Sequence, residues 1–180
     1  MKIKKIIFFF LMFLPLAAVL ISLQVLPEQI PAHFDLNGQV TRWGSKYETL
    51  IFPAFSILFG LFLWAMIRHA AKQEQQGRNN LSVSLIAGIS ALLLLNVLTG
   101  CALFMDFRQI ESFSLLPFDL YQIESVLAGV LLLIIGNIMP KLRRNSVIGL
   151  RTSWSMKNET TWKSAKNSAA SPSSRQAFSW

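Results

Sequence analysis

Residues 136 to 162, GNIMPKLRRNSVIGLRTSWSMKNETTW, are where an apolar run stops at Pro140 and a positively charged segment begins. Lys141, Arg143, Arg144 and Arg151 follow the last apolar residues at once. Positive charge crowded against one end of an apolar span marks the cytoplasmic side of a membrane. The stretch therefore reads as a membrane exit, and it sets an orientation for everything before it.

Bulk composition agrees. Of the 180 residues 53% are hydrophobic and 14% charged, whereas soluble domains carry about a quarter charged residues. The formal net charge of +8 fits nucleic acid or an anionic inner leaflet equally well as a bare number. Its position along the chain decides for lipid and against nucleic acid. A lone cysteine, Cys101, offers neither a disulfide framework nor a thiolate metal cluster.

Moving back from the exit, Leu120 to Met139 reads as a fourth span, with Gly129 and Gly136 seven apart on one stripe. The loop before it, Asp106 to Asp119, holds three acids against Arg108. Leu81 to Met105 is a third apolar run, in which Ser84, Gly88, Ala91 and Thr99 fall near one face and suit close helix contact in lipid. Arg68, Lys72 and Arg78 lie in a short polar loop with the single acid Glu74. Thr49 to Ile67 is a second run, with Pro53 in its first turns, where a missing backbone donor costs little. Ile6 to Leu26 is 21 uncharged residues after Lys2, Lys4 and Lys5, about 31 Å as a helix. A cleaved signal peptide is the alternative for that first run, but its apolar core would span only about 7 to 15 residues.

With both termini inside, every Lys and Arg except Arg42, Lys46 and Arg108 falls on the inner side. That asymmetry predicts an all-α polytopic membrane protein with four transmembrane helices, a small outer hairpin loop and a basic cytoplasmic tail. No internal repeat or heptad pattern is evident in the sequence. The segments divide as 1–67, 68–80, 81–166 and a small polar tail at 167–180 whose composition resembles disorder.

The polar stretch Pro27 to Glu48 contains Asn37-Gly38, a strong two-residue hairpin signal. Pairing outward sets 36 opposite 39, 34 opposite 41 and 33 opposite 42. Phe34, Leu36 and Trp43 then share one face, and His33, Asp35 and Arg42 the other. An isolated hairpin is only marginally stable, so the aromatic face is expected to lie on the bilayer.

Gly136-Asn137, Lys141, Asn145, the run Ile148-Gly149-Leu150-Arg151-Thr152, Trp154 and Glu159 to Trp162 together resemble the signature of the SdpI family. Its founding members are bacterial membrane proteins that protect a producer cell from its own secreted peptide toxin. Leu26-Pro27, Ile30-Pro31, His33-Phe34, Asn37-Gly38, Trp43 and Ser45-Lys46 resemble the domain of unknown function that often precedes that module. The resemblance implies a protein of the bacterial cell membrane with no cofactor, a toxic peptide as outer partner and a cytoplasmic transcriptional regulator as inner partner. Where the family leads into further membrane helices, this chain reads SAKNSAASPSSRQAFSW. A one-base shift near Lys163 would account for that tail, because the neighbouring frame permits basic, then glycine-bearing, then apolar residues. The coding DNA tests it.

No GxxxxGK, HExxH, GxSxG or paired CxxC occurs, and His33 and His69 are too far apart to suggest a metal site. Catalysis has no visible apparatus. The candidate outer ligand site comprises His33, Asp35, Gly38, Arg42 and Lys46, with a plain polar hairpin face as its alternative. On the inner side, the family motif is carried by Asn137, Asn145, Gly149, Arg151, Trp154, Glu159 and Trp162. Residues from Asn158 onward can open an amphipathic helix, with tryptophans at the headgroup level and lysines toward anionic lipid. Within the spans, Asn96 is expected to hydrogen-bond another helix, and Glu124 to anchor the outer interface or to line a polar path. A small transporter and a structural membrane subunit are the competing functions.

Overall fold

A computed structural model describes residues 1–72, 77–117, 119–138, 141 and 152–170. The elements in chain order are α1 (Lys2–Ser22), β1 (Gln29–Phe34), β2 (Val40–Ser45), a 3-10 turn (Lys46–Leu50), α2 (Ile51–Lys72), α3 (Gly77–Arg108), a 3-10 turn (Phe113–Leu115), α4 (Leu120–Ile138) and α5 (Glu159–Ala170). Among the described residues three segments are long and apolar enough to cross a membrane, Lys2–Ser22, Lys46–His69 and Leu81–Arg108. This falls one short of the four expected. α4 has 19 residues, about 28 Å of helix, close to a hydrocarbon core about 30 Å thick.

The bundle is apolar outside and partly polar within. Leu132 and Leu133 of α4 are 69% and 68% exposed, and Ile6, Phe10, Phe55, Leu58 and Leu93 also face outward. Ser56, Ser84 and Thr99 are buried. Such an arrangement suits a lipid solvent, in which apolar side chains need no shelter and small polar residues let helices approach.

α1 lies against both α2 and α3. Its buried Met12 fills the notch left by Gly60 of α2, and its buried Phe8 fills the one left by Gly88 of α3. A Cβ at Gly88 would stand 2.7 Å from the Phe8 ring. Leu85, Leu92, Thr99 and Asp106 are all buried on α3 at a spacing of seven, with Gly88 and Ala102 between them on the same stripe. α3 thus carries a heptad seam that the sequence pattern does not reveal.

Pro15 sits inside α1 and cannot donate to the carbonyl of Leu11 four residues earlier. Asn96 of α3 supplies the missing donor: its Nδ2 lies 2.9 Å from Leu11 O and 2.7 Å from Leu92 O. Ser56 of α2 donates to the neighbouring Met12 carbonyl at 3.3 Å. Neighbouring helices thereby serve the backbone where the proline has interrupted it. The interhelical role expected of Asn96 is what the fold uses.

The hairpin forms, with a different turn. Asp35 accepts from the amides of Asn37 and Gln39, both at 2.9 Å. The amide of Gly38 donates to Asp35 O, and that of Asp35 to Gln39 O. Gly38 has φ +75°, and Asn37 is not at positive φ. This is a three-residue loop closed by a glycine bulge, not the two-residue turn expected. The register follows: His33 does face Arg42, but Phe34 faces Val40, one residue from the expected partner. Leu36 stands at the tip, 97% exposed.

Support for the hairpin comes from protein. Val40 N donates to Glu111 O and Phe113 N to Gly38 O, each at 2.9 Å, and Gln39 Nε2 donates to Ser112 Oγ at 2.7 Å. Phe34 packs on Phe113 with ring centroids 4.6 Å apart. Gly38 is also closely covered, since a Cβ there would meet Phe113 at 2.6 Å. The two loops expected on the outer side are thus one assembly.

Candidate functional site

At this end of the bundle the hairpin and the adjoining ends of α2 and α3 enclose a cavity of about 570 Å³. Its wall is mostly apolar, with Ile30, Phe34, Phe52 and Met105 among its members, and it also holds Arg42, Glu48, Thr49 and Asp106.

Glu48 is placed by local sequence. Ser45 and Glu48 form a capping box at the start of the 3-10 turn, in which the amide of Ser45 donates to Glu48 Oε1 at 3.3 Å. The same carboxylate receives Arg42 through both terminal nitrogens, Nη1 to Oε1 at 3.0 Å and Nη2 to Oε2 at 2.7 Å. Those hydrogen bonds, and then the charge of Glu48, hold the Arg42 guanidinium above its ordinary pKa. Two-point pairing fixes the direction of Arg42 as well as its charge.

Asp106 closes the inner wall. It is 5% exposed, and Thr49 Oγ1 donates to its Oδ2 at 3.2 Å. Neither residue stands out in the sequence, where Asp106 reads as the first charge of a loop. The signal that finds it is the spacing of seven from Leu85 through Leu92 and Thr99. Ser45-Lys46-Tyr47-Glu48 likewise carries a legible capping signature that points to Glu48.

Of the expected outer residues, Arg42 alone lines this cavity. His33 Nδ1 shares a 2.7 Å hydrogen bond with Thr41 Oγ1. Asp35 and Gly38 build the turn. Lys46 reaches Glu28 Oε1 at 2.8 Å and stands over the Tyr47 ring. Among the described residues no group of three or more His, Cys, Asp or Glu is arranged to hold a metal ion.

At the other end Lys4 Nζ donates to Ser82 Oγ at 2.6 Å, joining the start of α1 to α3. Asn145, Gly149 and Arg151 of the basic motif lie outside the described residues, as does the side chain of Glu124; Asn137 is exposed on α4. The expected helix after Asn158 is α5. The amide of Thr161 donates to Asn158 Oδ1 at 2.8 Å and the amide of Asn158 to Thr161 Oγ1 at 3.1 Å. Each residue thereby caps the other, with Glu159 in the first turn. α5 continues to Ala170, past residue 167 where the polar tail was expected to begin. Trp154 is 55% exposed, but Trp162 is 0% exposed. Its ring therefore packs within the protein and is not offered to headgroups as expected.

Comparison with known proteins places both regions. The family described as a domain of unknown function, DUF1648, matches residues 10–57, which contain most of the cavity wall. The SdpI/YfhL protein family matches residues 141–175, running past Lys163. Immunity protein SdpI of Bacillus subtilis (strain 168) is 28% identical over 160 residues, covering 89% of this chain and 71% of that protein. No solved structure matches the chain. The chain is accordingly a multi-pass membrane protein similar to the SdpI family in its C-terminal part and to the DUF1648 family in its N-terminal part.

Proposed function

We propose that this chain is an immunity protein of the bacterial cell membrane that protects its host against a secreted toxic peptide. It crosses the bilayer four times, with α4 as the last span and both termini in the cytoplasm, so that the hairpin and the cavity face outward. The toxin meets that outer assembly. The basic segment around Arg151 contacts anionic inner-leaflet lipid and relays occupancy to a cytoplasmic transcriptional regulator.

The observation that carries this reading is the cavity, a largely apolar chamber with a fixed ion pair and a buried carboxylate, built mostly from the DUF1648 region. The similarity to Immunity protein SdpI supports the protective role. The transporter alternative is weakened because Asn96, one of the two residues proposed for its polar path, is occupied by backbone carbonyls of α1 and α3.

The test is expression in a strain sensitive to secreted toxic peptides. The chain should raise survival, and Arg42→Ala should lower it without changing the amount of protein in the membrane. Unchanged sensitivity on expression of the intact chain counts against protection.

A further inference from the structure

We infer that the outer cavity is a binding site for the ammonium group of an apolar peptide segment, with Asp106 as its counter-charge. This deepens the reading above by naming what the cavity recognises, and it rests on the same chamber.

The charges in the wall do not balance. Arg42 and Glu48 satisfy one another through two hydrogen bonds. Asp106 remains, and among the described residues no cation lies against it. A carboxylate offers about four acceptor sites, and here the Thr49 hydroxyl engages one oxygen. A charge buried to this degree is strongly disfavoured unless paired. Arg42 is turned to Glu48, which accepts from both of its terminal nitrogens. A cation that arrives with a ligand would supply the partner that the wall itself does not.

The rest of the wall says what carries that cation. Ile30, Phe34, Phe52 and Met105 offer an apolar surface in which a hydrated metal ion would gain no ligands. An ammonium on a hydrocarbon body satisfies both features, and about 570 Å³ falls within the roughly 300–1,000 Å³ common for ligand sites. A lipid headgroup amine shares this chemistry, but it brings a phosphate that needs its own cation, and the one basic residue of the wall is already engaged. A peptide's N-terminus or lysine brings no such phosphate.

The experiment uses the full chain in phosphatidylcholine nanodiscs and two probes, Phe-Leu amide with a free amine and its N-acetyl form, with binding read by calorimetry. Hydrogen bonds to charged groups predict that the free amine binds at least about tenfold tighter. Asp106→Asn, nearly isosteric and still able to accept from Thr49, should erase that difference. Ala102→Phe fills the cavity from α3 while keeping the carboxylate, and should abolish binding of both probes. Equal affinity of the two probes, no binding of either, or a preference that survives Asp106→Asn overturns the inference. If Asp106→Asn does not fold, undiminished binding by Ala102→Phe overturns it. Phosphatidylethanolamine nanodiscs that displace the free-amine probe would assign the site to a lipid instead. Failed protection in cells with an intact amine preference in nanodiscs would remove the immunity reading alone.

Discussion

Replacing Asn96 with Leu should reveal how much of the bundle's stability depends on repairing the backbone at Pro15. Asn96 Nδ2 sits 2.9 Å from Leu11 O, the carbonyl that Pro15 leaves without its helical donor. A side-chain hydrogen bond between membrane helices contributes about 0.6 kcal/mol on average and up to about 2. This one should lie toward the upper part of that range, near 1.5 kcal/mol, because its loss strands a backbone acceptor away from water. Pro15→Ala restores an amide at residue 15 that can donate to Leu11 O, so the carbonyl no longer depends on α3. The cost of Asn96→Leu should then fall to about 0.5 kcal/mol or less, a coupling of about 1 kcal/mol in a double-mutant cycle. Reversible unfolding of the four proteins in mixed SDS micelles, followed by circular dichroism, measures it. An Asn96→Leu cost that is the same in the Pro15→Ala background as in the parent chain would refute the assignment.

Gly38→Ala places a Cβ at φ +75° and 2.6 Å from Phe113; it should cost about 1–2 kcal/mol and make the hairpin more readily cleaved in limited proteolysis. Gly88→Val pushes against Phe8 and should destabilise the α1–α3 contact by about 1–3 kcal/mol, seen as a lower unfolding midpoint in the same micelles. Arg42→Gln, at an exposed ion pair, should leave that midpoint unchanged while lowering protection in cells; a large shift in midpoint would make the pair structural. Reporter fusions at Gly77 and Gln109 should give opposite sidedness, and identical answers would refute the proposed topology.

The helices were legible because apolar runs and the Lys and Arg asymmetry are local properties of the chain. The hairpin was legible in Asn37-Gly38, but its turn was not. Whether that dipeptide closes two residues or three depends on Asp35 capturing two amides and on Phe113 donating to Gly38 O from 75 residues away in sequence. Asp106 reads in sequence as a loop charge because it follows an apolar run directly. Only its step of seven from Thr99 shows that it continues the buried stripe. Trp162 misled in the opposite sense: tryptophan is common at headgroups, and nothing nearby in sequence announces that α5 buries its ring.

The clasp between the hairpin and the loop that follows α3 also governs the order of biogenesis. Residues 29–45 leave the ribosome well before residues 109–113, which contain their docking partner. During synthesis the emerging N-terminal part must wait, its turn unsupported, until the third helix has been delivered. The DUF1648 region is therefore completed by chain lying beyond its own boundary, and excised alone it would lack the surface on which its hairpin closes.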